Sequence, residues 1–169
     1  MPEMSPRLSE AFNNQIKMEL DSAYLYLAMS AESSAQTLKG TAHWLRMQWQ
    51  EESGHAMKLI DYVLERGNAL ELMALDQPSF SFKSITDLFQ KVLEHEQSVT
   101  RSIHELVSLV DSEQDHAAHA FLQWFVLEQV EEENSAQEVL DTLKIAGDQG
   151  PSLLMMDREL GSRVAETEA

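Results

Sequence analysis

The sequence predicts an all-α fold, a four-helix bundle closed by a short fifth helix, and three observations predict it. Proline occurs only at Pro2, Pro6, Pro78 and Pro151, which leaves four uninterrupted stretches of about thirty residues, each roughly 45 Å long as a helix. Within each stretch the apolar residues step by three and four, the spacing that keeps side chains on one face of a helix. Each apolar stripe is also interrupted near its midpoint by a glutamate: Glu19, Glu52, Glu96 and Glu132.

The first helix is expected over about residues 6–35, with Pro6 in its first turn and the stripe Phe12, Ile16, Glu19, Ala23, Tyr26, Ser30. A short turn leads to the second, about 40–66, with Ala42, Leu45, Trp49, Glu52, Ala56, Leu59 and Val63 facing inward and Gly67 as its C-terminal cap. Residues 68–83 lack a helical stripe and contain Pro78. A loop of that length suits a crossover between parallel neighbours. Ser84-x-x-Asp87 reads as a capping box opening the third helix, about 84–110, with Ile85, Phe89, Val92, Glu96, Val99, Ile103, Leu106 and Val110 inward. Asp111 to Asp115 is read as a turn, followed by the fourth helix, about 116–146, with Phe121, Phe125, Glu128, Glu132, Ala136, Val139 and Leu143 inward. Pro151 opens the fifth, about 151–160, where Met155 and Met156 are expected to pack, and the whole chain is read as one domain, 1–169. Gly54 sits mid-helix, where glycine costs about 1 kcal/mol against alanine. It either admits a close neighbour or is a tolerated defect.

Composition narrows the partners. A net charge of −17 argues against nucleic acid and anionic membrane. Cysteine is absent, so no disulfide framework or CxxC pair exists. The N-terminus shows no basic segment followed by an apolar run, and no stretch is apolar enough to span a bilayer, so a cytoplasmic location is the expectation.

The glutamates carry the chemistry. A lone carboxylate in a helical core costs several kcal/mol unless something pairs with it. Four converging at one level repel one another and call for a cation. Glu52 opens an E-x-x-H motif ending at His55, three residues apart and so on one helix face. E-x-x-H alone is a weak signal; with Glu19, Glu96 and Glu132 at matched core heights it reads as a metal site. Carboxylates with one imidazole suit iron or manganese better than structural zinc. His43, His95 and His104 fall off the stripes and are read as surface residues. His116 and His119, beside Asp111, Glu113 and Asp115, read either as a cation path or as a plain acidic turn.

The segments NNQIKMELDSAYLYLAM, LRMQWQEESGHAMKLIDYV, LEHEQSVTRSIHEL and FLQWFVLEQVEEE resemble the prokaryotic non-haem ferritins, and the likeness covers nearly the whole chain. That resemblance implies a ferritin-like di-iron carboxylate bundle with one long crossover, self-assembled into a homo-oligomeric cage of 24 subunits. It implies one iron held by Glu19, Glu52 and His55, and a second held by Glu52, Glu96 and Glu132, with Gln129 nearby. A third iron would use Glu51, Glu128, Glu131 and Glu132, although Glu51 and Glu131 read equally as surface residues of an acidic run. Tyr26, two turns beyond Glu19, matches a tyrosine that can give up an electron during oxygen reduction. It reads equally as a core tyrosine bonded to a ligand carboxylate. The implied activity is that of a ferroxidase, oxidising Fe(II) with dioxygen or peroxide and storing a ferric oxyhydroxide mineral. The region of His116 would approach a three-fold pore. No haem is expected; Met47 and Met57 are the candidate methionines were one bound. Rubrerythrins normally add CxxC pairs, absent here, and bacterioferritins a second E-x-x-H, where this chain has Ser135 three residues after Glu132. Two other readings stand beside ferroxidase storage: a mineral-nucleating subunit of little activity, and a di-metal oxidase or peroxidase that stores no iron.

Overall fold

The fold was described from a computed structural model, over residues 3–164. It consists of α1 (Pro6–Ala35), α2 (Lys39–Glu65), α3 (Ile85–Glu113), α4 (His116–Ala146) and α5 (Gly150–Leu160), with no strand among the described residues. Local chemistry accounts for each boundary. Ser5 caps α1 by accepting from Leu8 N at 3.1 Å, with Pro6 in the first turn. Thr37, at φ 63°, turns the chain left-handed, and α1 closes with Leu38 N donating to Ser33 O at 3.0 Å. The turn is so short that α2 must run antiparallel to α1. Gly67, at φ +74°, does the same for α2, where Asn68 N reaches Val63 O at 3.1 Å.

Ser84 caps α3 by accepting from Asp87 N at 3.2 Å. The Asp87 carboxylate reaches past the cap to Lys83 N at 2.8 Å, so the box is not fully reciprocal. Helix α3 continues through Asp111–Glu113, a segment read as a turn from sequence, and breaks only at Gln114, which takes φ 56°. Asp115 then caps α4 through Ala118 N at 3.0 Å.

A buried cation fixes how the helix pairs meet. Arg66, at the end of α2, donates to both Asp115 oxygens at 2.7 and 3.1 Å, and to Tyr62 Oη at 2.7 Å. The end of α2 therefore lies beside the start of α4, which makes α2 parallel to α3. Residues 68–83 are the crossover that this topology requires. Buried Asn13 holds its first residues, donating to Ala69 O at 3.1 Å and accepting from Glu71 N at 2.8 Å.

Helix α5 is stitched back onto α2. Leu38 gives α2 no side-chain cap, and Asp157 of α5 takes that role, accepting from Gly40 N at 3.0 Å and from Thr41 N and Oγ1 at 2.8 Å. Backbones touch here: a Cβ on Gly40 would stand 1.5 Å from Asp157 O. Met156 and Leu160 turn inward, but Met155 is 71% exposed, against the expectation that it packs.

The core is split at mid-height. One apolar cluster gathers Phe12, Ile16, Leu59, Val99, Leu122 and Phe125; the other gathers Tyr26, Leu45, Phe89, Val92, Ala136 and Leu140. Glu19, Glu52, Glu96 and Glu132 fill the layer between them, and all four are buried. Two inward stripes needed correction. In α2 the buried position is Gln48, with Trp49 only half-buried; in α4 Leu122, Gln129 and Leu140 are buried, while Phe121, Glu128 and Val139 are half-buried. The physical reason is that adjacent helix positions differ by about 100°, and packing against α3 and α2 decides which of two neighbours faces in.

Candidate metal centre

Helix α1 brings Glu19 into the mid-height layer and α2 brings Glu52 and His55. Their ligand atoms converge within 4.8 Å of one another. His55 Nδ1 lies 3.8 Å from both Glu19 Oε2 and Glu52 Oε2, too far for hydrogen bonds. Neither Glu52 oxygen has a hydrogen-bond partner among the described residues, and neither does Glu19 Oε2. Buried polar atoms of native proteins are nearly always satisfied, and leaving one unmade costs about 1–3 kcal/mol. Three carboxylate oxygens without partners, gathered beside one imidazole, fit a divalent cation.

His55 also joins a second group, with Glu128 and Glu132 of α4; His55 Nε2 stands 3.9 Å from Glu128 Oε1. Glu52, Glu96 and Glu132 do not close into one such group among the described residues. Each of the outer two instead takes a neutral donor. Tyr26 Oη donates to Glu96 Oε1, and Gln48 Nε2 to Glu132 Oε2 at 2.7 Å. Gln129 reaches Glu96 O at 3.3 Å and Glu96 Oε2 at 3.4 Å. Of the residues read as a third iron site, Glu128 approaches His55, Glu51 is bound by Arg163 at 2.8 Å, and Glu131 is exposed, in neither group.

Burial and mutual charge govern protonation. Burial, reinforced by the Glu96 charge, pushes Glu52 well above the usual carboxylate range. Burial likewise lifts Glu96 to about 7, and burial with the Glu96 charge lifts Glu132 to about 8. Burial opposes the charge on His55, but Glu128, Glu19 and Glu52 around it win and hold it well above its ordinary value. For Glu19, burial acts upward and His55 outweighs it, leaving its carboxyl below the usual range. Burial and the Glu96 charge raise Tyr26 well above 10, so the phenol stays protonated and donates.

Four supporting residues escaped the sequence reading. Gln15 Nε2 donates to Glu19 Oε1 at 2.7 Å and is itself held by Ser102 Oγ at 2.6 Å. Gln48, Thr100 and Arg163 complete the set; Thr100 Oγ1 accepts from Gln129 at 3.2 Å. A signal existed for two of them, since Gln15 and Gln48 each precede a core glutamate by four residues. His95 is a correction: it is half-buried, with Nε2 2.8 Å from Ser22 Oγ and its ring edge-on to Tyr26. His43 is also half-buried, bonded to Arg163 O at 2.8 Å, whereas His104 is exposed. At the α3–α4 turn Asp115 is used by Arg66, and His119 pairs with Asp111 at 2.6 Å.

These features define a buried, carboxylate-lined site with the donor set to hold a metal ion, inside a four-helix bundle. A Ferritin-like domain family model matches residues 9–146, and the chain belongs to that family. It is 38% identical to a bacterial non-heme ferritin of Escherichia coli over 94% of this chain and 96% of that one. It is 39% identical to one from Bacteroides fragilis, over 95% and 99%. Among solved structures it matches an engineered closed form of the Archaeoglobus fulgidus ferritin with a TM-score of 0.94 and 44% identity, covering 97% of this chain and 100% of that one. The open-pore ferritin of the same archaeon matches at 0.93 and 45%, covering 96% and 100%. Its relatives thus include bacterial non-heme ferritins and an archaeal ferritin.

Proposed function

We propose that this protein is an iron-storage ferritin that oxidises Fe(II) at a paired site within each subunit and keeps the product as a ferric mineral inside a homo-oligomeric shell of 24 copies. The observation that carries the reading is the buried layer of carboxylates with unsatisfied oxygens on Glu19 and Glu52, set beside His55 between two apolar clusters. Iron is the substrate here. Glu19, Glu52 and His55 take one Fe(II), and Glu52, Glu96 and Glu132 the second, with Glu52 shared. Each iron gives up one electron and dioxygen accepts the pair, becoming peroxide; hydrolysis of the Fe(III) then releases protons. The carboxylates neutralise the two cations and hold them together for this step.

Tyr26, through its bond to Glu96, holds that ligand and stands in position to supply a further electron. Ser135 leaves the second position with oxygen ligands only, and imidazole binds first-row divalent metals more strongly than carboxylate alone. The position with His55 therefore fills first, and the weaker one lets oxidised iron leave, as storage requires. A third position at Glu51, Glu128, Glu131 and Glu132 would lie outside this pair. The test is to size the purified protein and then add Fe(II) in air. Rapid oxidation of many irons per subunit within a large shell is expected. A monomer or dimer that oxidises only two irons per subunit and retains them would instead mark a di-metal enzyme.

A further inference from the structure

The residues after α5 return to the metal layer. A Cβ on Gly161 would stand 3.2 Å from Gly40 Cα, so the glycine lets the chain leave α5 close against α2. Arg163 then lies over the Trp44 ring, its guanidinium 4.5 Å from the ring centroid, and His43 holds its carbonyl at 2.8 Å. From that perch the guanidinium makes two contacts. Nη2 bonds Glu51 Oε2 at 2.8 Å, and Nη1 donates to Gln48 Oε1. Gln48 passes the effect inward, since its Nε2 donates to Glu132 Oε2 at 2.7 Å. Because both ends of that amide are engaged, its orientation is fixed, with the N–H group toward Glu132 and the oxygen toward Arg163. Both charged partners are only 16% exposed, and Arg163 lines a surface groove of about 250 Å³ together with Ser135 and Glu138.

We propose that Arg163 is a built-in cation that occupies the outer edge of the carboxylate layer and must be displaced when a metal ion binds Glu51. The inference rests on the ferritin reading above and deepens it. A divalent ion at Glu51 and Glu132 brings its own positive charge to the carboxylate that the guanidinium holds. The two compete for one carboxylate and repel each other, so filling the outer position detaches residues 162–164 from α2. Arg163 is thus a positioning residue that sets how readily the outer position fills relative to the inner pair, and the groove beside Ser135 is the side on which it lets go.

Zn(II), which does not turn over, is the probe. Anaerobic calorimetry on the assembled protein would compare wild type, Arg163→Met, Arg163→Lys and the double variant Arg163→Met/Glu51→Gln. In Arg163→Met the outermost Zn(II) is expected to bind roughly fivefold more tightly, the size expected when a partly exposed ion pair need not be broken. Arg163→Lys should return affinity toward wild type, and the gain should vanish without the Glu51 charge. Equal or weaker outer binding in Arg163→Met, or a gain that persists with Glu51→Gln, overturns the proposal. A second measurement needs no variant: amide hydrogen exchange across residues 157–164 of wild type should rise when the outer Zn(II) binds and not before. Unchanged or slower exchange also overturns it. Failure of the ferritin reading looks different, since then no Zn(II) binds the inner pair in any variant.

Discussion

Glu52 is the residue on which the metal-centre reading turns, and Glu52→Gln tests it with little change of shape. Its side chain is 0% exposed and neither oxygen has a hydrogen-bond partner among the described residues. The variant removes a charge that burial and Glu96 both disfavour, and it introduces two N–H donors beside the unpartnered Glu19 Oε2. An unsatisfied buried group costs about 1–3 kcal/mol, more when charged. Metal-free Glu52→Gln should therefore be more stable than wild type by about 1–3 kcal/mol. For a chain of this size that is a rise in Tm of roughly 2–10 °C. The gain should shrink on acidification, because wild-type Glu52 then takes up a proton and loses its charge anyway. With Zn(II) the order should reverse: wild type gains stability by mass action, and the variant, lacking the shared ligand, gains far less. Thermal melts by circular dichroism, with chelator and with Zn(II), at pH 8 and 5.5, provide the assay, and stopped-flow oxidation of Fe(II) should be lost in parallel. A metal-free variant less stable than wild type, or one stabilised equally by Zn(II), would refute the argument that a cation is the missing partner.

Three further outcomes follow from the structure. Glu96 and Glu132, raised to about 7 and about 8, bind protons in the folded protein that the unfolded chain has already lost above its ordinary carboxylate range. Stability of the metal-free protein should therefore fall as pH rises from about 4.5 toward 8. His55, raised above its unfolded value, acts in the same sense, since its contribution is lost as pH climbs through the folded value. Metal must displace these protons, so apparent Zn(II) affinity should climb between pH 6 and 8 with net proton release, read by calorimetry in buffers of different ionisation enthalpy; pH-independent binding would contradict the site's electrostatics. Gly40→Ala places a Cβ 1.5 Å from Asp157 O and must push α5 off α2, costing the cap made by Asp157. Loss of such a cap is worth about 0.5–2 kcal/mol, and amide exchange in α5 should accelerate; unchanged protection of α5 would mean that the backbone absorbs the clash.

What the sequence by itself determined is what one helix can encode alone. A stripe of period 3.6, a proline before a helix and a capping serine or aspartate are local, which is why the four long helices and their mid-height glutamates, Glu19, Glu52, Glu96 and Glu132, could be placed from spacing. Helix α4 shows the limit. Glu128 and Gln129 are adjacent, about 100° apart, and both are plausible inward residues on paper; only packing against α3 turned Gln129 to Glu96 and left Glu128 half-buried beside His55. His95 misled for the same reason. Off the stripe of α3, it would face solvent on an isolated helix, yet α1 lies over it and Ser22 takes its ring nitrogen. The links Gln48 to Glu132 and Arg163 to Glu51 join residues more than eighty positions apart. No spacing rule can express such a contact, because it depends on the rotation and height of separate helices, and those are decided when the apolar faces pack together.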